Sequence, residues 1–500
     1  FGRSLNSKSV ALKIFGTKPT LTIESPENVE AFVKTLTGNL HRIQTSAKII
    51  RDFENEVEPK VTNLNAVRAC SDIDYNIIEG QDIKRFLENG TRKFLTLIFP
   101  NRSTYYAARR YLRGTPSEIV ENQFYNHNGA IKVLSSNQKR VFKNSKDGIL
   151  QLTRKVIYPE KKTIFNDQTS LELKYLIDKD IYSSGFIEAK AREVDEDKET
   201  SCDIELIAQA DDVRQIQKDA FAPWKILSYD IESNPHEVRP GKYIFPVATL
   251  DPIITISAVL QQGEDLKQFV WVLNGDSEDR EEFYSLSPIV DPPDEYRSET
   301  TKVFCFDKEL EMISAFFTFI VSQDVDFLEG HNINRFDNRY ILTRYNVLKQ
   351  AIRPCTREYQ PVLGRFLNVK SVVETSTFSS NQQGSHEKFT LLLPGRVVLE
   401  SYEIFKAQHN ESSYALNSLC EKFLGTKKIE QDYNDIPIQY KTRKGREELA
   451  IYCVKDSWLT RKLMNKLCKM VTLTQMAFVT GVSLKDIINR GQGIRTIALM

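Results

Sequence analysis

The chain has 500 residues, of which 41% are hydrophobic and 27% charged, and its 68 basic and 67 acidic side chains give a formal net charge of +1. That length exceeds one ordinary domain and suggests roughly three, while the composition is that of a folded globular protein and excludes a disordered polymer. The longest apolar runs, such as "FLTLIF" and "MISAFFTFIV", fall short of the ~20 residues a spanning helix needs, so no membrane partner is expected. The cysteines, Cys70, Cys202, Cys305, Cys355, Cys420, Cys453 and Cys468, are scattered and never spaced C-x-x-C. Neither a disulfide framework nor a zinc site is indicated, and a reducing compartment is expected. The near-zero charge neither requires nor excludes a nucleic-acid partner, because a local basic stripe matters more than the total.

In chain order, residues 1 to about 215 read as mixed α and β. "SVALKIFG" and "PTLTIES" are strand-like, and "SPENVEAFVKTL" is a helix with Ser25 as its N-cap before Pro26 in the first turn. "RKFLTLIFPNRSTYYAARRYL" repeats the order of strand then helix. The stretch from Ala189 to Asp212 is rich in acids, and its charged first half reads as a surface loop before a boundary near residues 212 to 222.

From Pro223 strands and helices alternate, which suggests an α/β layer on a mixed sheet. "KILSYDIES", "DPIITISAVLQQ" and "KQFVWVL" are strands, "ELEMISAFFTFIVSQ" is a helix, and "DFLEGHNI" is a strand ending in a loop before the helix of "DNRYILTRYNVLK". Residues 365 to 397 read as a long hairpin around a polar tip, and "SSYALNSLCEKFLG" and "REELAIYCVKDSWLTRKLMNKLCKMVTLTQMAFVTG" as helices. The basic run "KTRKGR" reads as a solvated loop, with a phosphate-contacting loop as the sharper alternative, and Glu311 as an exposed helix charge. A chain that opens at Phe1 and closes within the helix-like "IRTIALM" is expected to be a piece of something longer.

"ILSYDIES" places two carboxylates at the end of an apolar strand. Residues two apart on a strand share a face, so Asp230 and Glu232 lie side by side and repel unless a cation separates them. Asp337 in "GHNINRFDNRYI" and Asp456 in "YCVKDSWL" also sit at the edges of apolar elements. Tyr452 and Asp456 are four apart, which on a helix stacks a phenol and a carboxylate on one face. Each motif alone is weak, since an acid beside an apolar run is most often a cap or a solvated end. Their joint occurrence, in order and in compatible elements, carries the inference.

Together these segments resemble the exonuclease motifs of the family B DNA polymerases. The resemblance extends to "FPVATLDPIITIS", "GRVVLESYEIF", "TGVSLKDIINRGQGIR", and upstream to "SLELKYLIDKDIYSSGFIEA" and "SKSVALKIFGTKPTLTI". Departures are His331, where the family often has Tyr, and Glu400 with Ser401, where an Asp commonly follows the "GRV" strand. Nothing like the palm strings "SLYPS" or "DTDS" occurs in the chain.

The resemblance implies an amino-terminal domain of mixed α+β structure over residues 1–215, and a 3′-to-5′ exonuclease domain of ribonuclease H-like α/β fold over residues 216–468. Residues 469–500 would be a return segment leading toward the palm. It implies a DNA polymerase that proofreads during replication, with Asp230, Glu232, Asp337 and Asp456 as ligands of two Mg²⁺ or Mn²⁺ ions. Asp230 would bridge the ions, Glu232 and Asp456 would complete the site that activates water, and Asp337 would hold the second. Tyr452 would orient the water by position, a phenol being a poor base at neutral pH. Asn332 and Phe336 would contact the terminal nucleotides, and Arg490 and Arg495 the DNA path toward the palm. The implied partners are DNA, at a primer 3′ end or single-stranded template, the palm, fingers and thumb of the same polypeptide, and a processivity factor. The implied place is inside the cell, in the nucleus or a viral replication compartment. The alternatives are a stand-alone nuclease of the same four-acid class and a non-catalytic scaffold that binds DNA or subunits.

Overall fold

The computed structural model describes residues 1–4, 6–54, 73–80, 92–125, 140–145, 148–157, 161–165, 170–218, 220–275, 279–287, 300–380, 384–427, 431–432, 434–490 and 492–499. They divide into two compact units, one of residues 16–175 and one of residues 1–15 with 176–500.

In the first unit the strands Asp74–Gly80, Arg92–Ile98, Thr20–Glu24 and Ile164–Phe165 lie in that order in an antiparallel sheet. Alternation turns Leu21, Ile23, Leu95 and Leu97 to one face, where they bury against Leu36 and Leu40 of the helix Val29–Glu54 and Tyr105 and Ala108 of the helix Arg102–Leu112. The first helix is not capped by Ser25. Asn28 Oδ1 accepts the Ala31 amide at 3.0 Å, so the helix starts after an equally good cap and Pro26 stays outside it.

In the second unit the strands Gly2–Arg3, Ser9–Phe15, Ile204–Ile216 and Phe186–Glu193 form one sheet in that order. The acid-rich stretch is irregular over residues 194–199, as expected of its charged first half, but it begins on a strand. Residues 186–193 are an edge strand whose charges face water, a common way to keep an edge from pairing with other chains.

The larger sheet has seven strands in the order Ser285–Leu286, Thr301–Phe306, Asp265–Leu273, Ile253–Gln262, Lys225–Ser233, Phe327–Gly330, Val397–Glu400. Lys225–Ser233 runs antiparallel to Ile253–Gln262 and parallel to Phe327–Gly330, so the sheet is mixed as expected. Strand parity sorts the side chains. Leu227, Tyr229 and Ile231 bury against Met312, Ile313 and Phe316 of the helix Glu309–Ser322. The opposite face carries Ser228, Asp230 and Glu232, and the helix Arg443–Lys466 covers it. There Val270 and Val272 pack on Ala450 and Val454. Ser257, which lies opposite Asp230 in the register, donates to the Cys453 carbonyl at 2.8 Å and meets Ser457 Oγ at 2.7 Å.

One buried ion pair sets where this long helix sits. Arg461 and Glu329 are both fully buried and 2.6 Å apart, which ties the helix to the strand Phe327–Gly330. Arg461 also donates to Asn465, whose amide donates to Gln261 of the strand Ile253–Gln262 at 2.8 Å. At the other end "KTRKGR" is not a solvated loop. Thr442 caps the helix by accepting the Gly445 amide at 3.1 Å, and Arg446 is buried with Nη2 donating to the Glu281 carbonyl at 2.9 Å. A Cβ on Gly445 would stand 2.0 Å from the Gln439 carbonyl oxygen, so glycine is what lets the turn Ile436–Tyr440 close on the helix.

Cys468, at φ +47°, ends the long helix, and the helices Lys469–Thr480, Leu484–Asn489 and Gln492–Leu499 follow. The hairpin read from the sequence pairs Val372–Ser380 with Gly384–Leu392; residues 381–383 of its tip lie outside the described residues. Glu311 is exposed beside Lys308, as expected.

Removing one member of a buried pair leaves a charge without compensation, at a cost of roughly 3–5 kcal/mol. Arg461→Leu should therefore lower stability strongly, while Glu329→Leu with Arg461→Leu should recover much of the loss. Denaturation followed by tryptophan fluorescence reads this unit alone, since Trp224, Trp271 and Trp458 are the only tryptophans. A double variant as unstable as the single one would contradict this role.

Candidate active site

Pairing of Lys225–Ser233 with its parallel neighbour is confined to Ile226, Leu227 and Ser228. Past that point Gly330 turns the neighbouring chain away. A Cβ there would meet Ile333 Cγ2 at 2.0 Å and the Tyr229 carbonyl oxygen at 3.0 Å. The loop that follows, with Asn332 at φ +65°, delivers the helix Asp337–Ile352 onto the strand edge. Asp337 Oδ1 accepts the Ile231 amide at 3.2 Å, so a side chain takes the place of the missing strand. Asp337 is thereby fixed beside the residue that lies between Asp230 and Glu232.

The long helix brings the fourth acid. Cys453 packs on the strand end, its sulfur 3.5 Å from the Asp230 carbonyl and 3.8 Å from Asp230 Oδ2, and Asp456 follows one turn later. Asp230, Glu232, Asp337 and Asp456 all line one open cleft of about 480 Å³, together with His331, Asn332, Arg335, Phe336 and Phe245. Tyr452 is buried one turn before Asp456 on the same helix; among the described residues the cleft wall takes Asp456 from that helix. Arg490 and Arg495 stand away from this wall. Arg490 follows the helix Leu484–Asn489 and lies 3.7 Å from Asp486, and Arg495 donates to the Ile487 carbonyl at 3.0 Å.

The negative potential of the site registers on its neighbours. Burial pushes the Cys453 thiol well above its ordinary pKa, and Asp230, Glu232 and Asp456 push it further in the same direction. Burial likewise raises the Tyr229 phenol, with Asp337, Asp230 and Glu400 adding to it. Asp230, Glu232 and Cys453 place ligand atoms within 4.8 Å of one another, so a thiol stands beside two of the expected acids. With its pKa raised, the thiol is a weaker ligand than the acids beside it, and the carboxylate oxygens form a set that fits a hard divalent cation.

The loop from His331 to Phe336 is clamped from below by Glu400, which ends the strand Val397–Glu400. Its carboxylate accepts the amides of Asn332 at 2.6 Å, Asn334 at 2.9 Å and Tyr402 at 3.2 Å. His331 is held at both nitrogens, by Ser401 Oγ at 2.8 Å and the Tyr414 carbonyl at 2.9 Å. Tyr229 donates to Asn338 at 2.6 Å, and Asn338 donates to Asn334 at 2.9 Å. Glu400 thus serves as a clamp for the loop and for the start of the helix that follows it.

Two rings close the cleft. Phe336 packs on Tyr340 at 5.1 Å and meets Phe245 edge-on at 5.3 Å, and Phe245 remains 70% exposed. The motifs did not point to Phe245, Arg335 or Cys453. Phe245 belongs to an irregular stretch without periodicity, and its exposure is the signal that the sequence does not carry.

Burial raises the Glu400 carboxyl to about 7, against the pull of its three amide donors and with Asp337 adding to the rise. An acid whose folded pKa lies above its unfolded value favours folding while protonated, and this contribution is lost as pH rises through the folded pKa. In chelator, the stability of wild type relative to Glu400→Gln should therefore fall between pH 5 and pH 8, as tryptophan-detected denaturation at the two pH values would show. A pH-independent difference would contradict it.

Over residues 162–419 the chain matches the family described as DNA polymerase family B, exonuclease domain; Tyr452 and Asp456 lie beyond that segment. It is 33% identical over 346 residues to the DNA polymerase delta catalytic subunit of Schizosaccharomyces pombe, covering 67% of this chain and 29% of that protein. It is 30% identical over 349 residues to the Drosophila melanogaster subunit of the same name, with 67% and 29% covered. The chain thus spans less than a third of the length of these relatives. The solved structure of the family B DNA polymerase from the hyperthermophilic archaeon Pyrobaculum calidifontis superposes over 99% of this chain and 46% of that one with a TM-score of 0.57 at 15% identity. That agreement in fold supports the ribonuclease H-like layer expected here. With the motifs in one cleft and more than half of the chain matched, the chain belongs to the family B DNA polymerases, through their exonuclease domain.

Proposed function

We propose that this chain is the proofreading part of a replicative DNA polymerase and removes nucleotides from the 3′ end of DNA by metal-assisted hydrolysis. The observation that carries the reading is the convergence of four carboxylates from three separate elements on one open cleft. In the domain reading, residues 216–468 hold the exonuclease, residues 1–215 the amino-terminal domain, and residues 469–500 lead on toward the palm. DNA is the substrate. The palm, fingers and thumb of the same polypeptide and a processivity factor are the partners, and the enzyme works at sites of DNA replication inside the cell.

Asp230, Glu232, Asp337 and Asp456 would hold two divalent ions, Mg²⁺ or Mn²⁺. When bound, such a pair supplies a hydroxide at neutral pH and offsets charge on the leaving oxygen. The residues of the chain do the rest. Asp230 and Glu232 from the strand end, Asp456 from the long helix and Asp337, fixed by the Ile231 amide, would be the ligands. Tyr452, one turn before Asp456, would help to orient the attacking water by position. Phe336 and Phe245 offer faces and edges on which a base packs without regard to its identity, and Asn332 offers a side-chain amide to the terminal nucleotide. Arg490 and Arg495 belong to the path that connects this cleft with the palm.

Asp230→Ala combined with Glu232→Ala should abolish trimming of a 3′-labelled single-stranded oligonucleotide in Mg²⁺ while leaving the fold intact. Loss of comparable charge stabilisation lowers rates by ~10²–10³, so activity above about a hundredth of wild type would count against the assignment. Trimming from the 5′ end or without metal would overturn the mechanism. A wild type that binds DNA and metal but never cleaves would favour the scaffold reading.

A further inference from the structure

Two divalent ions would offset the four carboxylates of the cleft, but a DNA strand brings one more negative charge with every phosphate, so positive charge on the wall favours its entry. Among the described residues of that wall, Arg335 alone bears a guanidinium or ammonium group. It lies two residues before Asp337 on the loop clamped by Glu400, and its own amide donates to the Asn332 carbonyl at 3.2 Å. Its guanidinium lies 5.7 Å from the centre of the Tyr402 ring, and Nη2 lies 3.7 Å from Glu403 Oε1. Tyr402 is held in turn, since its backbone amide is one of the three that Glu400 accepts.

We propose that Arg335 is a substrate-binding residue that grips a non-scissile phosphate of the strand entering the cleft, an inference that rests on the exonuclease reading above. The Glu403 contact does not compete with this role. Both side chains are about half exposed, 49% and 46%, and such a pair is weak, whereas a guanidinium and a phosphate form a stronger, forked, charge-assisted contact. Glu403 is not among the described residues of the cleft wall, which puts the end of Arg335 that meets it at the rim. A phosphate at the rim is one the strand keeps throughout the reaction. Arg335 therefore contributes equally to the ground state and the transition state, and its loss changes KM rather than kcat. Lysine keeps the charge but not the fork.

The test compares wild type, Arg335→Ala and Arg335→Lys on one single-stranded oligodeoxynucleotide. Binding is followed by fluorescence anisotropy in Ca²⁺ over a salt series, and hydrolysis in Mg²⁺ by steady-state kinetics. Arg335→Ala should bind about fivefold more weakly at ~0.1 M salt, with a salt slope smaller by about 0.7, the value for one phosphate contact on a single strand. Its KM should rise with kcat unchanged, and Arg335→Lys should keep the slope with part of the affinity. Unchanged affinity and slope in Arg335→Ala would overturn the proposal, and so would a fall in kcat at constant KM, which would move the contact to the scissile phosphate. A wild type that binds the strand without cleaving it would defeat the exonuclease reading alone, because the binding comparison still decides the role of Arg335.

Discussion

Carboxylates brought this close repel each other, and the second unit is built to hold them there. Two unit charges within the 4.8 Å that spans Asp230 and Glu232 repel by about 3 kcal/mol at an effective dielectric of ~20. The strand end alone could not keep them so placed. It is held by the antiparallel neighbour Ile253–Gln262, by the side chain of Asp337 on its open edge, and by the long helix packed across its polar face. Fixing that helix at Arg461 and Glu329 places Asp456, five residues earlier, without any contribution from the acids themselves. Apart from Asp337, the site is thus held by groups that do not take part in its chemistry.

The same logic explains why other ionisable groups surround the cleft in neutral or clamped form. A protonated thiol at Cys453 and a protonated phenol at Tyr229 add no charge to a region already negative. Glu400 turns its oxygens to backbone amides, which orders the loop that carries Asn332, Arg335 and Phe336. Loop and acids are coupled through this clamp, since two of the amides that Glu400 binds, those of Asn332 and Asn334, precede Asp337 by only a few residues.

Much of the site was legible in the sequence because it depends on periodicity. A spacing of two on a strand put Asp230 and Glu232 on one face, and the apolar pattern marked where the helices around Asp337 and Asp456 lie. What sequence reading missed depends on tertiary partners. "KTRKGR" has the composition of a solvated loop, yet Thr442 caps a helix there and Arg446 finds a carbonyl in the interior. Ser25 and Asn28 are equally good caps locally, and the start of the helix decides between them. The pairing of Glu329 with Arg461 joins residues 132 apart in the chain, which no local pattern encodes. Phe245 and Arg335 owe their relevance to the cleft they face.

The central claim is that Asp230, Glu232, Asp337 and Asp456 form one cation-binding centre. Calorimetric titration of the chain with Mn²⁺ tests it most directly, with wild type beside Asp230→Ala and Asp456→Ala. Saturable binding in wild type that either substitution sharply weakens is the predicted result, since the two acids come from elements far apart in sequence and would share ions only in the cleft. Equal binding in all three proteins, or none in wild type, would contradict it.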